Sequence, residues 1–229
     1  MKAMILAAGL GKRMMPLTAK IPKPLLKVDD KSLLEHHILN LVSSGITEIV
    51  INHSVFGEQI EQAIGDGSDY DATIVYSPEP LRMETAGGII KALPLLGDSP
   101  FLVVNADIWT DYPFEKLVKL EMRLCHAHLV LVKNVEHNPG GDFYLDDSAR
   151  VHLDPHTYAS DDAESDTFSG ISVLHKDLFE NCSLEAQPLV PLLIKAMESS
   201  QVSGEIYNGL WMDIGTPERL HDLRAALAD

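Results

Sequence analysis

The sequence predicts an α/β protein: a Rossmann-like, mixed but mostly parallel sheet with helices on both faces. Three observations carry that prediction. In the first half of the chain, short continuous apolar segments alternate with segments of helical period, the pattern of buried parallel strands joined by helical crossovers. Beyond about residue 126 the alternation gives way to consecutive strand-like segments, which adds antiparallel neighbours. The 229 residues, 45% hydrophobic and 23% charged, have an ordinary globular composition and enough length to bury a sizeable core. A single domain is expected over residues 1–229, in two halves at 1–125 and 126–229.

The elements follow in order. KAMILAA (2–8) reads as a buried strand. Residues 32–43 read as an amphipathic helix with Ser32 as N-cap, Glu35 completing a capping box and Gly45 ending it. EIVINHS (48–54) is a strand, GEQIEQAI (57–64) a helix and ATIVYS (72–77) a strand. TAGGIIKALPLL (85–96) is a helix with Thr85 as N-cap, before the apolar strand FLVVNAD (101–107). HAHLVLVKN, then GDFYLD and ARVHLD around a turn at Asp147–Ser148, and FSGISVLH (168–175) supply the consecutive strands. The polar, acidic PHTYASDDAESD (155–166) is expected to be a mobile loop. A helix at 188–199, a strand-like stretch around 205–214 and a helix opening at Pro217 after Thr216 complete the chain.

In such sheets ligands bind at the carboxyl ends of the strands, here after Ala8, after Ser77 and at Asn105–Asp107. The charge distribution narrows the ligand class. Residues 1–31 carry seven basic against two acidic residues, or +5, in a chain of formal charge −16, which leaves −21 on the other 198. A basic loop on an acidic protein excludes a nucleic-acid or membrane-surface binder and suits a small anion. Cys125 and Cys182 read as separate thiols, and no apolar run reaches the roughly 18 residues of a span, so a cytoplasmic protein is expected.

The stretch LAAGLGKRMMPLTAKIPKPLL (6–26) concentrates that basic charge. It is not a Walker A loop, because Leu6 stands where the first glycine belongs and Arg13 follows Lys12. A dinucleotide loop fails as well, because Met14 occupies the third glycine place. What remains is a glycine turn whose amides can approach a polyphosphate, flanked by Lys12 and Arg13, and a lysine fixed between Pro22 and Pro24. Alone, these residues fit a solvated surface turn equally well.

The same stretch resembles the signature L-x-x-G-x-G-[TSEK]-R-[ML]-x-P-L-T followed by P-K-P of the sugar-1-phosphate nucleotidylyltransferases. That resemblance implies the nucleotide-diphospho-sugar transferase fold, with a nucleotide-binding first half and a second half that binds the sugar and carries the second metal ligand. It implies that Ala8, Gly9, Gly11, Lys12 and Arg13 cradle a nucleoside triphosphate and that Lys23 meets its α-phosphate, Arg13 and Lys23 being the catalytic pair. Met83-Glu84-Thr85-Ala86-Gly87-Gly88 resembles the family's segment beside base and ribose, which assigns nucleotide contacts to Glu84, Thr85 and Gly87. Asn105 and the segments around Asp142, Thr167 and Ser169 resemble its sugar-facing parts.

Asp107 ends an apolar strand, and Asp213 lies in WMDIGTPERL. Either alone reads as a surface residue; together with the loop they resemble the family's two ligands of one Mg2+, although Ala106 replaces the glycine common before the first. The ten histidines give no zinc set, and no G-x-S-x-G elbow is present. The implied reaction is direct in-line transfer of a nucleotidyl group to a sugar 1-phosphate. Within the family the whole chain is similar to the branch that transfers uridylyl from UTP to N-acetylmuramate 1-phosphate in peptidoglycan recycling. The chain stops after the catalytic part, without the β-helix of bifunctional members. Mannose-1-phosphate guanylyltransferases share the loop motifs and are the alternative; a silent nucleotide-sugar sensor would be expected to lack Lys23, Asp107 or Asp213, all present here. Nothing in the sequence sets the oligomeric state, and a monomer is compatible with every reading above.

Overall fold

A computed structural model of the chain describes residues 1–153 and 164–227. The strands are β1 (Ala3–Leu6), β2 (Lys27–Val28), β3 (Lys31–Ser32), β4 (Glu48–His53), β5 (Thr73–Pro78), β6 (Phe101–Asn105) and β7 (Ile108–Thr110), then β8 (Ala127–Val132), β9 (Tyr144–Leu145), β10 (Val151–His152), β11 (Thr167–Leu174), β12 (Val202–Tyr207) and β13 (Trp211–Asp213). The helices are α1 (Leu33–Ser43), α2 (Gly57–Ile64), α3 (Glu84–Leu96), α4 (Glu115–Val118), α5 (Val190–Glu198) and α6 (Pro217–Leu227).

Seven strands form the main sheet in the order β12-β8-β11-β6-β1-β4-β5. All neighbours are parallel except β11, which runs antiparallel to both β6 and β8. The mixed, mostly parallel sheet therefore stands as the sequence predicts. Alternation within each strand sends side chains to two cores. Ala3 and Ile5 of β1, Ile49 and Ile51 of β4 and Leu102 and Val104 of β6 pack with Leu34, Ile38 and Leu41 of α1 and Ile60 and Ile64 of α2. Met4, Val50, Phe101 and Val103 face the other way, onto α3 and α5.

Local chemistry explains where the helices start and stop. In α1 the Ser32 hydroxyl accepts from the Glu35 N–H, the Glu35 carboxylate accepts from the Ser32 N–H, and Gly45 follows at φ +83. Helix α3 starts differently from expectation: it runs from Glu84, with Met83 at the N-cap and no side-chain cap, and Thr85 lies inside it. A backbone carbonyl does the capping instead, since Gln187 O accepts from the amides of Ala86 (3.0 Å) and Gly87 (3.2 Å). The stretch expected as one strand around 205–214 is two: Tyr207 still pairs with Val132, whereas Trp211 pairs with Thr110 of β7. Gly209 breaks it, leaving room for the Tyr207 side chain to fold over its α-carbon. Residues 154–163 of the acidic stretch lie outside the described residues. Its last residue, Asp166, is buried and accepts from Lys133 Nζ at 2.9 Å. Cys125 and Cys182 are unpaired, and among the described residues no helix is long and apolar enough to cross a membrane.

A third apolar cluster joins the chain's ends. Leu220 and Leu223 of α6 and Ile214 pack with Met14, Leu26, Val28 and Leu33. Met14 is fully buried there, which is why a side chain stands where a dinucleotide loop would need a third glycine.

One fold contact carries a pH signature. His37 of α1 is buried, its Nε2–H donating to Ile108 O at 2.9 Å while Nδ1 has no partner among the described residues. Burial drives its pKa down from 6.5 to about 4. The unfolded chain binds the proton first, so stability contributed by the neutral ring is full above about pH 6.5 and is lost as pH falls toward 4, by at most about 1.4 kcal/mol per pH unit. Urea titrations at stepped pH should show this loss, with a shallower slope in His37→Gln; an unchanged slope would place the acid sensitivity elsewhere.

Candidate active site

A cavity of about 380 Å3 opens at the carboxyl ends of β1, β4, β5 and β6, lined in part by Ala7–Arg13, Lys23, Asn52, Glu79, Arg82, Glu84, Thr85, Asn105–Asp107 and Gly215. Its size suits a small molecule.

The glycine turn forms one wall. Gly11 sits at φ +58, in the left-handed region open to glycine, and a Cβ there would meet Thr18 Cγ2 at 3.0 Å and Lys23 Cβ at 3.2 Å. Its carbonyl accepts from the Thr18 hydroxyl (2.8 Å) and the Met14 amide (2.9 Å), which closes the turn. Gly9 has open space where a Cβ would be. Lys12 and Arg13 are exposed on this wall, and among the described residues neither has an ion-pair partner. Lys23 lies beneath, in a turn fixed by Leu25 N to Pro22 O (2.9 Å) and Leu26 N to Lys23 O (3.0 Å). Its side chain is 8% exposed, and Nζ donates to Asp107 Oδ2 at 2.7 Å.

The second aspartate arrives through the β7–β13 ribbon. Asp213 pairs with Ile108, and the Ile214 amide donates to Asp107 O at 2.7 Å. Asp213 Oδ1 is held by Arg219 of α6, and His137 Nε2 lies 2.8 Å from the same oxygen. A Cβ on Gly215 would stand 2.6 Å from Arg219 Nη2 and 2.9 Å from Asp213 Oδ2, so the glycine makes room for the Arg219–Asp213 pair; Gly215 lines the cavity and Asp213 lies just behind it. Among the described residues no group of three or more His, Cys, Asp or Glu could hold a metal ion by itself. Two hard carboxylates on adjoining strand ends, each with one oxygen not held by a cation, fit a Mg2+ that takes its other positions from phosphate and water.

Three polar cavity residues escaped the sequence reading: Asn52, Glu79 and Arg82. Asn52 Oδ1 accepts from the Ala7 amide (2.8 Å), Asn52 Nδ2 donates to Glu79 Oε1 (2.6 Å), and Glu79 Oε2 accepts from the Met83 amide (3.2 Å). Asn52 and Glu79 are buried, and their bonds tie β1, β4 and the start of α3 into one wall. The only sequence signal was a polar residue near the carboxyl end of each of two apolar strands, Asn52 next to last in β4 and Glu79 just after β5.

The other expected residues divide. Gly87 does not line the cavity; its amide bonds to Gln187 O, and a Cβ would stand 2.3 Å from Glu185 O, so it serves the docking of α3. Ser169 is buried, donating to Val130 O (2.6 Å) and accepting from the Ile171 amide (3.2 Å); this is the hydrogen bonding of the β11 bulge, and it leaves the hydroxyl committed to backbone. Gly170 in that bulge, at φ +81, makes room for Asn105, whose Nδ2 would stand 2.6 Å from a Cβ. Asp142 accepts from the Phe168 amide (2.8 Å) and from Asn138 (3.2 Å), which also reaches Thr167 (3.2 Å). These two belong to a network beside the cavity rather than to its lining.

The buried wall gives a test. A methyl at Gly88 would stand 2.5 Å from Glu79 Oε1 and 2.9 Å from Asn52 Nδ2. Gly88→Ala should therefore lower stability by about 1–3 kcal/mol in urea unfolding despite alanine's better helix propensity, and an unchanged midpoint would show that the wall yields freely.

Comparison with known proteins agrees with this geometry. Residues 2–143 match the nucleotidyl transferase family. The chain is 47% identical over 232 aligned positions, covering 98% of itself and 97% of its relative, to the N-acetylmuramate alpha-1-phosphate uridylyltransferase of Neisseria meningitidis serogroup B. It is 29% identical over 227 positions to the mannose-1-phosphate guanylyltransferase catalytic subunit beta of Danio rerio, covering 95% of itself but 62% of that longer protein. The solved structure of a glucose-1-phosphate thymidylyltransferase from Bacillus anthracis superposes with a TM-score of 0.85 at 18% identity, over 100% of this chain and 95% of that one, and shows the shared fold. With the glycine turn, the buried lysine and the strand-end aspartate on one cavity, the chain belongs to the nucleotidyl transferase family.

Proposed function

We propose that the chain transfers a uridylyl group from UTP to N-acetylmuramic acid 1-phosphate, forming UDP-N-acetylmuramic acid and pyrophosphate. The observation that carries this substrate pair is the 47% identity, across nearly the whole of both chains, to the Neisseria uridylyltransferase.

The residues present supply a consistent route. A phosphate oxygen of the sugar 1-phosphate is already nucleophilic at neutral pH, so the in-line attack on the α-phosphorus needs no general base; positioning and charge neutralisation suffice. The amides of the Gly9–Gly11 turn and the free cations of Lys12 and Arg13 hold the phosphates that leave as pyrophosphate. Lys23, lining the cavity on a fixed turn, stabilises charge at the α-phosphate. Glu84 and Thr85 face the nucleoside, and Asn105, with Asp142 and Thr167 behind it, faces the acceptor. Asp107 and Asp213 hold a Mg2+, which when bound neutralises phosphate charge. The reading treats 1–229 as one domain whose two halves meet at this edge, in a protein of the cytoplasm.

Pyrophosphate release measured for UTP, GTP, CTP and dTTP against the 1-phosphates of N-acetylmuramate, N-acetylglucosamine, mannose and glucose should single out UTP with N-acetylmuramate. A preference for GTP with mannose 1-phosphate would overturn the substrate assignment and leave the chemistry standing. Lys23→Ala and Asp107→Ala should each lower kcat by a factor on the order of 10^2–10^3 in folded protein; full activity in either would remove that residue from the reaction.

A further inference from the structure

We propose that Lys23 is the resident counter-ion of Asp107, and that its transfer to the triphosphate couples uptake of the divalent cation to nucleotide binding. The inference rests on the reading above in which Asp107 holds that cation.

Lys23 has little freedom to do otherwise. Its ammonium is buried, its backbone is locked in the turn between Pro22 and Pro24, and its Nζ contacts Asp107 Oδ2 at 2.7 Å. A metal approaching Asp107 alone would meet this fixed positive charge a few ångströms away, and displacing the ammonium would leave it buried without a partner. Asp213 is defended in the same way, with Arg219 and His137 on Oδ1. Each aspartate is therefore already charge-balanced by its own cation, and a bare divalent cation gains little there.

A triphosphate changes that balance. Lys12 and Arg13 carry no carboxylate partner among the described residues, so they can attract it unaided. Lys23 lines the same cavity and has three N–H donors on its ammonium, so it can pass from Oδ2 to a phosphate oxygen without leaving its turn. Asp107 then regains its full negative charge as the phosphates supply further hard oxygens, and cation and nucleotide are held together. Departure of pyrophosphate would reverse the exchange, returning Lys23 to Asp107.

The test reads metal and nucleotide binding apart from turnover. Mn2+ binding is followed by electron paramagnetic resonance in wild type and Lys23→Met, with and without UTP and with no acceptor present. Methionine keeps the unbranched stem without the charge, and folding is checked by thermal melting. Wild type should bind Mn2+ weakly alone and at least tenfold more tightly with UTP, beyond what UTP chelates by itself. Lys23→Met should bind Mn2+ alone at least tenfold more tightly than wild type and depend less on UTP. As a second arm that does not need Lys23→Met to fold, Asp107→Asn frees Lys23 and should strengthen metal-free UTP binding several-fold. Equal Mn2+ affinity in wild type and Lys23→Met, or unchanged metal-free UTP affinity in Asp107→Asn, overturns the coupling while uridylyl transfer stands. Mn2+ binding to neither protein under any condition overturns both the coupling and the metal role of Asp107.

Discussion

Burying the ammonium of Lys23 strips it of most of its water, a loss of several kcal/mol in a protein interior unless other groups replace that hydration. Asp107 supplies a carboxylate at 2.7 Å, and the requirement that it do so organises the active-site edge. The turn from Pro22 to Leu26 must hold Lys23 beneath the glycine loop, and residue 11 must lack a Cβ, because Lys23 Cβ would lie 3.2 Å from it. Asp107 must in turn stay at the mouth of the sheet. It does so because β6 ends at Asn105 and the Asp107 carbonyl takes the Ile214 amide of the ribbon's far strand. One charge pair thus ties residues 84 positions apart in sequence, and the backbone around both ends is shaped to keep it.

The Asn105 edge of the cavity depends on a different device. Strand β11 runs antiparallel between β6 and β8, and its register slips between Phe168 and Ile171. That bulge turns Ser169 inward onto Val130 and leaves Gly170 opposite Asn105. Trp211 Nε1 donates to Ser169 O at 2.9 Å, so the strand leading to Asp213 is braced by the same bulge. A residue that resembles a sugar contact in sequence is here a structural one: its position supports Asn105 on one side and the β13 strand on the other.

Much of this was legible in the sequence where the signal is local. The capping box at Ser32, the bounds of α2, the paired strands around Asp147–Ser148 and the glycine turn each depend on residues a few positions apart, and each stands. The failures share a cause. Thr85 has the chemistry of an N-cap, yet the cap of α3 is a carbonyl from Gln187, about a hundred residues away. Gly87 sits in a nucleotide-like motif but its missing side chain admits Glu185. Asn52 and Glu79 lie at the carboxyl ends of β4 and β5, which only the sheet order brings to the cavity. Sequence spacing reports contacts within a turn or a hairpin; these contacts are set by which strands lie side by side.

The cavity therefore combines two kinds of construction. On the side of Asn52 and Glu79, the bonds to the Ala7 and Met83 amides, and between the two side chains, occupy both oxygens of Glu79 and both polar atoms of Asn52. Such a wall costs little to keep rigid and holds the backbone around it in place before any ligand arrives. On the opposite side the groups are charged and paired: Lys23 with Asp107, and Arg219 and His137 with Asp213. A polyanion that offers equivalent oxygens can take over a donor from such a pair without leaving the cation unpartnered. The transfer proposed above would use both properties at once, a fixed surface to orient the nucleoside and a set of charges to follow the phosphates. The chain's overall charge of −16 is no obstacle to this. At the cavity edge the unpaired Lys12 and Arg13 lie near Lys23, while carboxylates beyond about 8–10 Å are largely screened by salt.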